Sequence, residues 1–309
     1  MLKKFGVWGK IIMVEKLIKI VGKQNVKINE PLKNHCTFGI GGSAKYYVSP
    51  ENFEALNKLL YFAKLADIKF MVVGKGSNCL FDSLGYDGII ISTEKLSKIV
   101  NLGSGYFEAM AGTSLAELLT YTSNLGFGGL EFASGIPGSV GGAILMNAGA
   151  NGHEIGELVK YVAYYEAGER KVKQASELDF GYRTSYFLSH KDCIIASVVV
   201  KLKQEEPKVI YNKILELVAK RRQTQPLGRS AGCVFKKCGD MPAGLLIDRC
   251  GLKGIKIGGA EISTMHANFI LNSNDATSAD VISLIELIRS QVKNKYNKEL
   301  ELEIEIIEK

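Results

Sequence analysis

The sequence predicts a globular protein of mixed helix and strand, long enough for about two domains. Three observations carry that prediction. The 309 residues are 46% apolar and 23% charged with only 6 Pro, which excludes a disordered, collagen-like or rod-like chain. Short apolar runs that read as buried strands alternate with stretches of helical spacing along the chain. No apolar run approaches the ~20 residues that cross a bilayer, so the chain is expected to be soluble.

The elements follow in order. The opening MLKKFGVWGKII carries Lys3, Lys4 and Lys10 around a broken apolar stretch. It lacks the uninterrupted apolar region and small-residue cleavage site of a signal peptide. Residues 1–13 are therefore expected to be an extension, either an upstream-start artefact or a loose tail. Residues 14–21 read as a short amphipathic helix. Ser49-Pro50 is expected to open a helix with Phe53, Leu56, Leu60 and Ala63 on one face. Residues 69–73 read as a buried strand, 74–78 as a glycine turn and 88–92 as the next strand. Ser114 and Glu117 form a capping box before Leu115, Leu118 and Leu119. Strands are expected at 158–166 and 193–203, a linker at Pro207 and a helix over 209–222. Thr277 and Asp280 cap a helix with Val281, Leu284, Ile285, Ile288 and Val292 at helical spacing. From Glu299 to Ile306 acidic and apolar residues alternate strictly, which predicts one strand with an acidic and an apolar face.

The net charge of +7 suggests a nucleic-acid partner, but its distribution argues otherwise. Residues 1–34 hold eight Lys and two Glu, a net of +6, leaving +1 for the other 275. A nucleic-acid-binding body needs a basic face of its own. The six cysteines, at 36, 79, 193, 233, 238 and 250, include no CxxC pair. That spacing suits neither a zinc site nor a secreted disulfide framework, so no metal is expected and the thiols are expected to be free in a cytoplasmic protein.

The glycines are the chemical signal. Residues 126–152 contain nine in 27 positions, a density that strand or helix interiors do not favour. Such loops form tight turns or bring several main-chain N–H groups to one anion, most often a pyrophosphate. Gly74-Lys75-Gly76-Ser77-Asn78 after a buried strand is a second loop of this kind, and Gly41-Gly42 a third. Three separated loops suggest a large dinucleotide held from several sides. A Rossmann site is excluded: Gly39-Ile-Gly41-Gly-Ser-Ala44 fits GxGxxA but runs into the strand-like KYYVSP, so the receiving helix is missing.

Seven blocks then occur in order: VVGKGSNCLFDSLGYDGIII, GIPGSVGGAILMNAGA, GYRTSYF, SAGCVFKK, AGLLIDRCGLKGIKIGGAEIS, HANFILN and LELEIEII. Together, over about residues 14–308, they resemble the shorter subclass of the UDP-N-acetylenolpyruvoylglucosamine reductase (UDP-N-acetylmuramate dehydrogenase) family. The resemblance implies an α+β fold with an FAD-binding domain of the vanillyl-alcohol-oxidase type, in two subdomains, and a C-terminal α+β substrate domain. The expected division is 14–205 for the FAD domain, with strand 300–309 returning to it, and 206–299 for the substrate domain. It implies noncovalent FAD, NADPH as hydride donor and the enolpyruvyl ether of UDP-N-acetylglucosamine as substrate, in a monomer without nucleic-acid partner.

The site residues follow from the matched blocks. Cofactor contacts are expected from Gly41 and Gly42; from Gly74, Lys75, Gly76, Ser77 and Asn78; from Gly112 and Thr113; and from Gly135, Ile136, Gly138, Ser139, Gly141, Gly142, Asn147 and Gly149. Arg183 in GYRTSYF matches the family's catalytic arginine, whose planar fork suits a carboxylate. Cys233 stands where the family commonly has a proton-donating Ser, and its thiol, with a reference pKa near ~8.5, is a stronger acid than an alcohol. Glu303 matches the C-terminal catalytic glutamate; residue chemistry alone does not separate it from Glu301 and Glu305. Lys253 and His266 match positions that line the substrate region, His266 fitting a structural histidine equally well; Arg221 and Arg222 are within reach of the UDP pyrophosphate or serve the helix dipole, and Tyr182, in the GYRTSYF block, is expected to bind substrate. Lys237-Cys238 replaces the family's usual Asn-Pro, and Leu245 stands where many relatives have Lys, so neither position receives a role. Two alternatives remain: an FAD oxidoreductase of the same fold with another substrate, and an inactive nucleotide-binding regulatory protein.

Overall fold

The structure, a computed structural model, describes residues 6–309, with side chains from residue 11 onward. The chain forms two compact units, and both are discontinuous in sequence. One contains the described residues up to 30, then 45–75 and 88–217. The other contains 31–44, 76–87 and 218–309.

The first unit opens with a helix, Gly6–Val21. Of the expected extension, residues 1–5 lie outside the described residues. Residues 6–13 are no tail but the first half of that helix, which buries Leu17 and Val21 further on. Its neighbour is the helix Phe53–Leu65. Its cap is Asn52, whose Oδ1 accepts the Ala55 N–H at 2.9 Å, rather than Ser49-Pro50. The Ser49 N–H is already held by Asn25 O at 3.0 Å, so Ser49 belongs to the preceding segment. Leu56, Leu59, Leu60 and Ala63 share a core with Leu17, Tyr46, Ile89 and Ile91. The adjoining sheet pairs Phe70–Val73 in parallel with Tyr86–Ser92. Ile89, Ile90 and Ile91 are fully buried, the continuous apolar run expected of a strand covered on both faces.

A second sheet runs in the order Glu169–Gln174, Val159–Glu166, Ile194–Lys201, Tyr106–Met110, Ile99–Gly103, antiparallel throughout. The helices Leu115–Asn124 and Val140–Leu145 contribute Leu115, Leu118, Val140 and Ile144 to the core it forms with Phe107, Val162 and Val198. Ser114 caps the first of these through the Glu117 N–H, one half of the expected box; the Glu117 carboxyl accepts instead from Ser97 Oγ at 3.3 Å. The expected linker at Pro207 is instead the first residue of the helix Pro207–Thr224, a position where a fixed φ and a missing N–H cost nothing.

The second unit packs the helix Ser278–Tyr296 on a meander of Lys256–Ile257, Ala260–Ile262 and Ile270–Asn272. The capping box is complete: Thr277 N–H donates to Asp280 Oδ2 at 2.9 Å, and Asp280 N–H to Thr277 Oγ1 at 3.2 Å. Val281, Leu284, Ile285, Ile288 and Val292 are buried, as their spacing requires. The single strand expected from Glu299 to Ile306 is split. Only Glu305–Ile307 is strand, parallel to Cys79–Phe81. Upstream, Lys236 N–H bonds Glu301 O at 2.9 Å and Glu303 N–H bonds Val234 O at 2.8 Å. The segment changes partner at residues 303–304, which form a bend; alternation sets which face is apolar but not which chain each half pairs with.

Candidate functional site

The candidates fall in both units. In the first, three glycine loops meet. A Cβ on Gly74 would lie 2.1 Å from Ser139 Oγ, one on Gly112 would lie 1.8 Å from Thr93 O, and one on Gly141 2.9 Å from Ala111 Cβ. Val140 N–H and Gly141 N–H donate to Thr113 O and Ala111 O, each at 2.8 Å, and Leu115 N–H to Gly138 O at 3.1 Å. Residues 111–115 and 138–141 are thus in main-chain contact, and Gly74 lies against the Ser139 side chain, an approach that leaves no room for a Cβ. Ser139 caps the helix Val140–Leu145 through Gly142 N–H. Gly135, beside Ile136, has φ 74°.

Some expected cofactor residues are structural in part. Thr113 is fully buried, and its hydroxyl is exchanged with Lys98 N–H and O at 3.2 and 3.3 Å. Asn147 donates to Glu154 Oε2 at 2.7 Å and Gly181 O at 2.9 Å, and accepts from Gly156 N–H at 3.0 Å. A Cβ on Gly149 would lie 2.6 Å from His153 O. These residues brace the loop rather than offer free donors.

Asn147 also anchors the turn that carries Arg183. Gly181 and Thr184 exchange main-chain hydrogen bonds at 3.2 Å, and between them Arg183 has φ 53°. A left-handed conformation at a residue with Cβ costs roughly 1–2 kcal/mol, and such strain concentrates at functional positions. The guanidinium is fixed by Nη2 donating to Gly149 O at 3.1 Å. It also lies 5.2 Å from the ring centre of Tyr182, which is exposed. One edge of a half-buried cation is thereby held.

In the second unit, Gly76 is buried with φ 58°, and a Cβ there would lie 2.3 Å from His35 O. Its carbonyl accepts Thr37 N–H at 3.3 Å. The amides of Lys75, Gly76 and Ser77 meet no main-chain acceptor among the described residues. A short run of unpaired amides on a left-handed glycine fits a pyrophosphate. Gly41, with φ 149°, and Gly42 pack on Phe81 and Ser83; Gly42 N–H donates to Asp82 O at 2.9 Å.

Cys233 is half-buried and lies in a frame of main-chain bonds. It bridges to Phe269. Next to it Val234 N–H donates to Asn268 O at 2.8 Å, and Val234 O accepts Glu303 N–H at 2.8 Å. Asn268, 6% exposed, completes the frame: Oδ1 accepts Phe235 N–H at 3.0 Å and Nδ2 donates to Phe235 O at 2.8 Å. The structure thus brings Cys233 and Glu303 onto adjoining segments. Glu301 on the same face is exposed and paired to Lys236 Nζ at 2.6 Å.

Arg221 lies half-buried in the last turn of its helix, while Arg222 is exposed. Burial pulls the Arg221 pKa down, and the nearby Cys233 acts in the opposite direction. His266 is pushed below the usual histidine range by burial first, with Lys253 adding to the shift and a main-chain hydrogen bond opposing it. Its Nδ1 accepts Asn268 N–H at 3.2 Å, which leaves Nε2 as the protonated nitrogen. Lys253 is paired to Asp248 at 2.9 Å. Lys237 is exposed and Leu245 is 40% exposed. Two residues escaped the sequence reading: Asn268 lies inside the HANF block, yet only the fold shows that its amide faces Phe235, and Asp248 is the partner of Lys253, five residues away. Among the described residues no group of His, Cys, Asp and Glu could hold a metal ion, and no helix is long and apolar enough to cross a membrane.

Residues 44–169 match an FAD binding domain, and residues 223–307 match the UDP-N-acetylenolpyruvoylglucosamine reductase, C-terminal domain. The chain is 44% identical over 278 residues to the UDP-N-acetylenolpyruvoylglucosamine reductase of Protochlamydia amoebophila, covering 89% of this chain and 92% of that one. It is 43% identical over 279 residues to the protein of the same name from Thermotoga petrophila, covering 90% and 97%. The crystal structure of the Thermus caldophilus reductase superposes with a TM-score of 0.77 at 33% identity, over 91% of this chain and 98% of that one. With an FAD-binding domain, a matching C-terminal domain and relatives of this identity along nearly its full length, the chain belongs to the UDP-N-acetylenolpyruvoylglucosamine reductase family.

Proposed function

We propose that this chain reduces the enolpyruvyl ether of UDP-N-acetylglucosamine to UDP-N-acetylmuramate, with NADPH as hydride donor, in peptidoglycan precursor synthesis. The observation that supports this best is the frame in which Glu303 N–H bonds Val234 O at 2.8 Å, so that a thiol and a carboxyl stand on adjoining segments. When bound, FAD supplies a carrier that takes hydride from NADPH and delivers it to the methylene carbon of the substrate. The amides of Lys75, Gly76 and Ser77 would hold its pyrophosphate, and Gly112 and the loop 135–142 would offer further noncovalent contacts to it.

Hydride addition places enolate-like charge beside the substrate carboxylate. Arg183 meets that charge with a fork already aimed by Gly149 O, so little reorganisation is needed as charge develops. Cys233 Sγ gives its proton to the carbon next to the carboxylate, and the thiolate recovers a proton from solvent. The neighbouring Arg221 favours that thiolate. Glu303, in its protonated form, donates a hydrogen bond to the developing oxyanion. The balance is one hydride and one proton added across the double bond, with NADPH oxidised to NADP⁺. Tyr182, Arg221, Arg222, Lys253 and His266 bind the UDP-sugar. Residues 14–205 with 300–309 serve the flavin and 206–299 the substrate, in a cytoplasmic monomer that feeds the wall growth on which cell shape and division depend.

The test is a two-stage anaerobic reaction. NADPH should bleach the bound flavin, and the enolpyruvyl substrate should restore its colour while UDP-N-acetylmuramate forms in equal amount. Bleaching with no substrate-dependent recovery would refute the assignment.

A further inference from the structure

We infer that Asn78 is a positioning residue for Glu303, holding the C-terminal segment across the bend where Glu303 sits. The inference rests on the role given to Glu303 above. Asn78 Nδ2 donates to Glu303 O at 2.9 Å, and Asn78 O accepts Glu305 N–H, also at 2.9 Å. One residue of the glycine loop therefore grips the segment at Glu303 and again two residues later. The need for that grip is local. Upstream of the bend the segment is tied to Val234 and Lys236; downstream, Glu305–Ile307 pairs with Cys79–Phe81. Glu303 lies where one pairing ends and the other begins, so no continuous ladder fixes it.

Its two main-chain groups are fixed separately instead. The N–H is held by Val234 O, beside Cys233, and the carbonyl by the Asn78 amide. This accounts for the residue type at position 78. A planar amide supplies a donor at the reach required, whereas an ionised Asp of the same shape would set a second acceptor against the Glu303 carbonyl. The same loop carries the unpaired amides of Lys75, Gly76 and Ser77, so the loop that binds the pyrophosphate also locates the carboxyl.

The experiment uses flavin-loaded enzyme, reduced with NADPH and mixed with the enolpyruvyl substrate, and follows flavin reoxidation in Asn78→Ala, Glu303→Ala and the double variant, each normalised to bound flavin. Asn78→Ala should slow reoxidation by about 10- to 100-fold, the cost of a misplacement near 1 Å. The double variant should be no slower than Glu303→Ala alone, because Asn78 acts through that carboxyl. Asn78→Asp gives a second reading that a general folding defect would not reproduce. Relative to wild type, its rate should recover as pH falls and the protonated carboxyl regains a donor for the Glu303 carbonyl. An Asn78→Ala effect of equal size with and without the Glu303 carboxyl would overturn the inference, as would an Asn78→Asp rate that tracks wild type across pH. If Glu303→Ala itself reoxidises like wild type, the role of Glu303 fails, and the assignment of Asn78 falls with it.

Discussion

The turn that carries Arg183 and the frame that carries Cys233 and Glu303 are held by different means. Arg183 occupies a left-handed turn closed by Gly181 and Thr184, and two side chains steady it: its own guanidinium on Gly149 O and the Asn147 amide on Gly181 O. Cys233 and Glu303 are located by main-chain bonds to Val234, with the side-chain amides of Asn268 on Phe235 and of Asn78 on the Glu303 carbonyl bracing the strip. A substitution at Arg183 therefore removes both the proposed charge-stabilising group and part of what positions its turn. At Cys233 the frame survives substitution, and only the chemistry of the side chain changes. The first arrangement joins the proposed function to strain; the second separates it from the scaffold, so that either a Ser or a Cys side chain fits the same frame.

The sharpest test of that contrast lies at Cys233. Cys233→Ala should accept hydride from NADPH normally and then slow flavin reoxidation by about 10²–10⁴, while Cys233→Ser stays active, since general-acid help has that size and the frame is unaltered. Alkylation should separate the thiols as well. Burial pushes Cys79 up to about 12 and, with Glu166 beside it, Cys193 to about 11, so neither should react near neutral pH, and the labelling that inactivates should map to Cys233 and be blocked by substrate. Full turnover by Cys233→Ala would place the proton source elsewhere.

Arg183→Ala should cost somewhat less, about 10²–10³ in the reoxidation step, with reduction by NADPH spared, because negative charge develops only in the second step. Equal slowing of both steps would show that the turn, rather than the charge, was lost.

The smallest effect concerns the frame itself. His266 is neutral in the fold, its pKa lowered chiefly by burial, and Nδ1 accepts the Asn268 N–H. The unfolded chain, with histidine near ~6.5, binds more protons than the folded one between the two pKa values. Stability contributed by neutral His266 is therefore full above about 6.5 and is lost as pH falls below it. Between pH 7 and 5 the wild-type melting temperature should fall more than that of His266→Gln. Parallel curves for the two proteins would show that burial does not hold His266 neutral in the fold.

Much of this was legible in advance where the cause is local. Thr277 and Asp280 cap a helix through atoms three residues apart, and Val281, Leu284, Ile285 and Ile288 share a face by helical geometry alone, so the helix Ser278–Tyr296 needed nothing outside itself. The helix after Pro50 was legible as a helix but not at its start: the Asn52 side chain caps it on the Ala55 N–H, whereas Ser49 ends the preceding segment with its N–H on Asn25, a distant residue in sequence. Glycine density marked the loops at 74–78 and 126–152 as places of close approach. It could not show that Gly112 is pressed on Thr93 O, or that Thr113 and Asn147 direct their side chains into the scaffold.

By itself, then, the sequence determined composition, local caps, apolar faces and the ordered blocks that mark the family, because each depends on neighbours in the chain or on residue identity. The tertiary structure decided which of several equivalent groups stands where. Glu301, Glu303 and Glu305 alternate identically, yet Glu301 is exposed and paired to Lys236, Glu305 lies opposite Cys79 in a parallel pair, and Glu303 is held at the bend between Val234 and Asn78. Periodicity fixes the face on which a side chain emerges. Only the pairing of segments far apart in sequence fixes what that face meets, because those hydrogen bonds are made by main-chain groups that every residue possesses alike.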